Sequence, residues 1–472
     1  MPDIILVYPP VSLTGRYSEV ATGHEVPPQP LIYLAAVLRN NGYSAEIIDA
    51  NAMRLSSGQV VDHVLDKSPR YVGITSPTML ISTAGLIFKK IKERNENITT
   101  IIGGPHISAV PMETMQRYAD IDIGVIGEGE ITIIELMRYL KESKGDLSSI
   151  KGIIFRENGQ LNITEKRPFI DDLDSLPFPA WDLLPDILKH YQQSVARVDR
   201  LPAVSLTTSR GCPYQCTFCA RNVFGNKIRT HSAEYIMNMF KYLIKKYKVK
   251  SLCIEDENFV IFKKRLIELC NAMINEKLNI TWSCASSINE INPEILKLMK
   301  KAGCWQISFG IESGSQRILD FIKKGTKIST IRNALRMTKE SGIMTKGYFI
   351  IGHLIETEDT IRETIDFAKN IDLDDFQMSF LVPFPGTEIY KIAHEYGKFD
   401  NDWQEMNIWT PIFIPHGFTQ QDLQSWSKRA FREFYFRPKP IFNFLKRASR
   451  PTYFKKYFRD GFKIFKFLLK KS

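Results

Sequence analysis

No cysteine occurs before Cys212 or after Cys304, although seven lie in the interval between them. An odd number, with three inside eight residues, is not the pattern of a disulfide framework, and a reducing compartment is expected. The same gap leaves no thiols for a second cluster in either flanking region. No stretch approaches the roughly 18 consecutive apolar residues that span a bilayer. No positive charge precedes the short apolar run at residues 4–8, so a first strand is expected there and not a signal peptide. Low-complexity segments and short repeats are also lacking. With 472 residues, 44% of them hydrophobic, the chain has room for two or three packed domains. Even the net charge of +11 is missing from most of it. Residues 428–472 hold fifteen Lys/Arg against two Asp/Glu, which leaves the remainder near −2. The basic balance belongs to a tail and not to the body.

What is present reads as α/β. Strands are expected at 4–8, 44–50, 71–76, 99–104 and 123–127, with a helix over 31–42 closed by Gly42. That alternation predicts a doubly wound parallel sheet over residues 1–145, whose ligand loops lie at the strand C-termini. Residues 146–197, rich in proline and aspartate after a short hairpin, read as an ordered linker. A second alternating block covers 198–400, with strands at 203–212, 251–256, 280–286, 305–311, 345–351 and 375–383. Six βα units predict an incomplete (β/α)6 barrel. Residues 401–472 read as a small helical part ending in a basic amphipathic tail.

The chemistry is concentrated at Cys212-Pro-Tyr-Gln-Cys216-Thr-Phe-Cys219. Three thiolates on one tight loop can bind three irons of a [4Fe–4S] cube and leave the fourth iron open. The triad directly follows a predicted strand, and Arg210-Gly211 permits the turn. Zinc is the competing reading, but His231, twelve residues beyond Cys219, is poorly placed as a fourth ligand. Cys253, Cys270, Cys284 and Cys304 sit in apolar patterns and read as buried small hydrophobes.

The triad, with Phe218 before its last cysteine, resembles the signature of the radical S-adenosylmethionine (SAM) superfamily. The resemblance runs through residues 203–400. Glu255-Asp256-Glu257 is similar to the acidic motif that contacts the SAM amino group, a solvated acidic turn being the plain alternative. Phe309–Ser315, with Glu312 and Ser313, resembles the strand that lies near the SAM ribose and methionine portion. Gly347–Thr357 is similar to a motif usually ending Gly-x-Pro-Gly-Glu-Thr, but His353, Leu354 and Ile355 replace its middle, which puts the local turn in question. Pro383–Tyr390 completes the match. The implied cofactors are a [4Fe–4S] cluster and SAM, which is cleaved by one electron to a hydrogen-abstracting 5′-deoxyadenosyl radical. An electron donor of the flavodoxin or ferredoxin type follows as a partner.

The first block, with Pro27–Leu38 and its Thr75, Ser76, Gly103, Gly104 and Glu128 loops, resembles the cobalamin-binding domain that precedes the radical SAM domain in one large subfamily. Small residues at a sheet edge suit a corrinoid tail that slides between strands. Pro10 falls in the loop after the first strand, where cobalamin mutases carry a cobalt-ligating His. That loop here, Tyr8–Leu13, has none. Cobalamin bound base-off, without a His from this loop, is the expectation. His106 reads as a structural residue in a turn sooner than as a lower-face ligand, and a sheet that binds nothing is the alternative for the whole domain.

The subfamily includes C-methyltransferases and cyclases of the magnesium-protoporphyrin ester type. The expected function is methylation of an unactivated carbon; oxidative ring formation, or a corrinoid- or redox-binding protein without turnover, are the rivals. The substrate is a small molecule or a lipid-like one. The tail 452–471 sets Phe454, Phe458, Phe465 and Leu469 near one helical face, with Lys455, Arg459, Lys463, Lys466 and Lys470 on another. Such a helix suits an anionic membrane surface. Packing on the barrel is equally open, and no recognition motif supports nucleic acid. A cytoplasmic protein, peripheral on the inner face of the membrane, is the matching location.

Overall fold

The computed structural model describes residues 1–11, 26–142, 145–191 and 197–448, with backbone alone at 444 and 446–448. Strands β1 (Ile4–Tyr8), β2 (Ala45–Asp49), β3 (Tyr71–Thr75), β4 (Thr99–Gly103) and β5 (Ile123–Val125) form a parallel sheet in the order β2-β1-β3-β4-β5. Their Ile- and Val-rich sequences are buried on both faces because helices cover both sides. The chain reverses direction across the sheet between β1 and β3, which opens the crevice where such sheets receive ligands. The hairpin β6 (Ile153–Glu157) and β7 (Gln160–Ile163) adds two antiparallel strands beyond β5. The head of the 146–197 segment, expected as linker, is thus taken into the sheet. The reason is Ile153 and Ile154, which pair with Val125 and Gly124 and are fully buried.

The second sheet curls as half a barrel. Strands β8 (Ala203–Leu206), β11 (Ser251–Ile254), β12 (Thr281–Ser286), β13 (Cys304–Glu312), β14 (Met344–Ile351) and β15 (Asp375–Phe380) are parallel and neighbour one another in chain order. Between β8 and β11, the short strands β9 (Ser209–Arg210) and β10 (Arg229–Thr230) pair across the cysteine loop. Helix starts are capped by Ser232, Asn292 and Thr357. The questioned turn at Gly352–Thr357 forms despite its altered sequence. Gly352 takes φ +82°, and the Glu356 carboxylate accepts the N–H groups of Gly352 and His353, both at 3.2 Å.

The two sheets share one continuous apolar core that includes Trp181 and Tyr191 of the connecting segment. The C-terminal region is not wholly helical. Its strand β17 (Phe413–Pro415) pairs antiparallel with β16 (Gly397–Phe399), which lies just before that region. Between them, Trp403 and Met406 return to pack in the first domain, with the Trp403 ring 4.4 Å from that of His106. The helices Gln420–Tyr435 and Pro438–Ala448 follow, the first packing Phe434 against Phe376 of β15. The expected amphipathic tail 452–471 lies outside the described residues.

Candidate functional site

The C-terminal edges of both sheets face one cavity of about 700 Å³. From the first domain come Leu6, Gly73, Thr75, Gly103, Val125 and Gly127, a surface of small and aliphatic groups. Gly103 has nothing within 4 Å of where a Cβ would stand, so its missing side chain is open space. Gly104 serves a different purpose. At φ +101° it turns the chain against β3, and a Cβ there would meet Thr75 Oγ1 at 2.8 Å and the Ser76 nitrogen at 2.9 Å.

The opposite wall is the cysteine loop. Gly211 adopts φ +86°, and a Cβ would lie 2.4 Å from the Lys227 carbonyl oxygen, so the turn before Cys212 needs glycine. Backbone bonds fix the loop: Thr217 N–H donates to Ile322 O at 3.1 Å, and Ile389 N–H to Thr217 O at 3.2 Å. Gly386 of the Pro383–Tyr390 motif packs directly on Asn222, just beyond the triad. All three thiols border the cavity. Burial raises the Cys212 thiol. A hydrogen bond with Cys219 lowers Cys216, and the same bond raises Cys219. One thiolate is therefore favoured in advance, the form that ligates metal. Among the described residues no three His, Cys, Asp or Glu side chains are placed to hold a single metal ion. The thiolates of an iron–sulfur cube bind separate irons and do not converge on one point.

Of the other residues expected at the cofactors, Phe218, Glu255, Glu257, Glu312, Thr75, Gly103, Gly104 and Glu128 border the cavity, whereas Asp256, Ser313, Ser76 and Pro10 do not. Neighbours on an extended segment point to opposite sides, and Asp256 faces away between Glu255 and Glu257. Its buried carboxylate accepts from Thr208 N, Thr208 Oγ1 and Ser209 Oγ within 2.6 Å. Ser313 Oγ is engaged with Thr364 Oγ1 at 2.9 Å. Ser76 Oγ donates to the Pro77 carbonyl, and Pro10 is buried behind the sheet edge. Glu255 is held by Arg197 and by Ser205 Oγ at 2.8 Å.

Glu128, expected on the corrinoid wall, has both oxygens taken by other groups: Arg210 at 2.9 Å, Arg229 at 2.8 Å and the Ile170 N–H at 2.8 Å. Arg210 also donates to Glu130 at 2.5 Å. This buried cluster bolts the first domain to the residue two places before Cys212. The reason lies in the Gly127-Glu-Gly-Glu130 turn, which points two acids at a barrel rich in arginine. His106 is fully buried, with Nδ1 3.3 Å from Thr78 Oγ1, and does not border the cavity.

Two cavity residues carry no signal in the sequence. Lys324 lies 2.8 Å from Glu312 Oε1 beside the triad. Burial opposes its charge, but Glu312 and the Cys216 and Cys219 thiols hold its ammonium above the ordinary value. Glu312 itself takes φ +69°, rare for a side-chain-bearing residue and consistent with strain at a site. Asn258 borders the cavity with a buried Nδ2 that has no partner among the described residues. Lys323-Lys324-Gly325-Thr326 reads as surface, and Asn258 sits in the shadow of the acids before it; only proximity in space singles out either.

The family model described as the radical SAM superfamily matches residues 206–368, and that of the B12 binding domain matches 20–137. An uncharacterized methyltransferase of Pyrococcus horikoshii is 34% identical over 444 residues, 93% of each chain. The chain belongs to the radical SAM superfamily. An anaerobic magnesium-protoporphyrin IX monomethyl ester cyclase of Rubrivivax gelatinosus is 28% identical over 87% of this radical SAM chain and 74% of its own. The solved structure of OxsB, a cobalamin-dependent SAM radical enzyme with aqua-cobalamin and SAM bound, shares the fold at a TM-score of 0.75 and 20% identity. It covers 99% of this chain and 72% of that one. This radical SAM enzyme is cobalamin-dependent, with a [4Fe–4S] cluster, SAM and cobalamin as cofactors. The residues present fit them: three thiols on one loop, both signs of charge beside it for an amino acid, and an open glycine edge opposite.

Proposed function

We propose that the chain transfers a methyl group to an unactivated carbon of a small molecule. The observation that carries this is the single cavity, bordered on one side by the glycine edge of the B12-binding domain and on the other by the cysteine loop. When bound, the cluster and SAM supply a carbon-centred radical, and cobalamin supplies a methyl group. Cys212, Cys216 and Cys219 would each bind one iron and leave the fourth open. Glu257 and Glu312 would take the SAM amino group and ribose, and Lys324 its carboxylate. Burial raises the Glu257 carboxyl, so contact with a cation would favour its charged form. Phe218 would border the adenosyl portion, and Gly103 would leave room for the corrinoid. The aliphatic wall around them excludes water from a radical.

Ring formation is the second reading, and the cyclase relative favours it. A protein without turnover is the third; the intact triad argues against it. Anaerobically reconstituted enzyme given methyl-labelled SAM, hydroxocobalamin and a small-molecule extract separates the three. Label passing into the corrinoid fraction and then into extract molecules supports methyl transfer. Deoxyadenosine release with all label left in methionine favours cyclisation. No SAM cleavage by the cluster-loaded protein supports a binding role. The variant with alanine at Cys212, Cys216 and Cys219 is expected to lose the cluster absorption and all SAM cleavage, and cleavage by that variant would overturn the assignment.

A cytoplasmic enzyme fed by a flavodoxin- or ferredoxin-type donor is part of the same proposal, and the odd, clustered set of seven cysteines supports a reducing compartment. No helix among the described residues is long and apolar enough to cross a membrane. Contact of the tail 452–471 with an anionic membrane, and with it a lipid-like substrate, stays part of this proposal.

A further inference from the structure

The helix Pro438–Ala448 leaves an apolar stripe in solvent. Ile441 is 44% exposed, Phe442 66% and Leu445 59%, with Phe436 at 52% just before the helix. Residues 438, 441, 442 and 445 follow the i, i+3, i+4, i+7 spacing of one helical face. The opposite face is bound to the protein: Pro440 is buried, and Asn443 Nδ2 donates to Asp374 Oδ1 at 3.3 Å. A soluble surface seldom gathers side chains of this kind without a partner.

The surrounding charge selects the partner. Residues 437–447 include Arg437, Lys439, Lys446 and Arg447 and no acid, and residues 449–472 add eight Lys/Arg against one Asp. That distribution opposes a second copy of the same face. It is complementary to anionic lipid headgroups, into which Phe and Leu of an interfacial helix insert. We propose that the helix Pro438–Ala448 docks this enzyme on an anionic bilayer through Phe436, Ile441, Phe442 and Leu445.

The docking face lies far from the chemistry. The helix is anchored through Asp372 and Asp374, at the N-terminal end of β15, whereas the cavity opens at the C-terminal ends of the barrel strands. A docked enzyme therefore keeps its cavity clear of the headgroups, and the inference stands whether the reaction is methylation or cyclisation.

The test is co-sedimentation of the full-length holoenzyme with phosphatidylcholine vesicles, with and without phosphatidylglycerol, at low and high salt. The parent is expected to sediment with the anionic vesicles and to be released by salt. The Phe442→Asp, Leu445→Asp double variant is expected to lose at least tenfold in partitioning while keeping SAM cleavage and its melting temperature. Phe442→Ser provides a milder second variant with an intermediate loss. Sedimentation of the double variant equal to that of the parent would overturn the proposal. So would a parent that ignores both vesicles. In that case light scattering names the true occupant: two copies that the double variant separates mean self-association, and a single copy means that the chain covers the face itself.

Discussion

The two walls of the cavity are built on opposite principles. The wall from the first domain works by subtraction: Gly73, Gly103 and Gly127 remove side chains from a sheet edge otherwise made of Leu6, Ile74, Thr75, Ile101 and Val125. The barrel wall works by addition, placing three thiols, Glu257, Glu312 and Lys324 around a backbone turn. A large, mostly apolar cofactor needs volume and few directed bonds, whereas a cluster and a zwitterionic amino acid need ligands at fixed points. Between the walls stands neither kind of surface but a buried ionic joint, Glu128 and Glu130 with Arg210 and Arg229. It fixes the distance between the two halves of the reaction.

The joint carries the largest expected effect. Arg210→Met leaves Glu130 buried without its cation, and removing one member of a buried pair costs about 3–5 kcal/mol. Denaturant unfolding should show a loss of that order, and Arg210→Met with Glu130→Leu should regain most of it, because an apolar pair of similar volume has no charge to bury. A loss below about 1 kcal/mol in the single variant would mean that solvent reaches the joint and that the walls are held together by the shared core alone.

How legible these walls are in the sequence follows from their construction. The barrel wall depends on residue types at fixed spacing, so the triad and the acids of 255–257 stand out from the amino-acid order alone. The sheets are legible as well, since Ile- and Val-rich runs between glycine-ended helices leave few alternatives. Directions in space are not. Nothing in the sequence says that Asp256 turns inward to Thr208 while its neighbours face the cavity, or that Glu128 is taken up by arginines from 82 and 101 residues away. Lys324 is hidden because a lysine beside another lysine and a glycine reads as solvated surface. The hairpin at 153–163 shows in the local pattern, but its place at the sheet edge rests on pairing with β5, a long-range choice that local pattern does not encode.

A second contrast concerns charge within the barrel wall. Glu312 has Lys324 beside it, whereas Glu356, buried in the turn after β14, has hydrogen-bond donors but no cation among the described residues. Burial pushes its carboxyl up to about 7. In the unfolded chain it would ionise near its ordinary 4.5. Below pH 4.5 the acid is protonated in both states and its contribution is fully present. As pH rises toward 7 only the unfolded state gains from ionisation, so this contribution is lost. Glu356→Gln removes the effect, so its stability relative to the parent should climb between about pH 4.5 and 7, by about 3 kcal/mol. A stability difference that stays flat with pH would show that Glu356 ionises freely in the folded protein.

The smallest effect separates the two uses of glycine in the first wall. Gly103 and Gly104 are adjacent, read alike in sequence and both border the cavity, but only at Gly103 is the place of a side chain open space. Valine at 103 enters open space at the end of a β-strand, a backbone region that a branched residue tolerates well. The protein should fold with an unchanged midpoint and lose corrinoid, with retention of hydroxocobalamin weakened about tenfold, or 1.4 kcal/mol. Valine at 104 strains a backbone at φ +101° and presses on Thr75 and Ser76, so its signature is reversed: a destabilisation of about 1–3 kcal/mol, with corrinoid retention reduced only as far as the protein unfolds. Melting curves and gel filtration with hydroxocobalamin, run on both variants, distinguish the two. If Gly103→Val kept full retention while Gly104→Val lost it in the folded state, the corrinoid would lie across the turn and not over the strand end, and the subtraction that shapes this wall would belong to the other glycine.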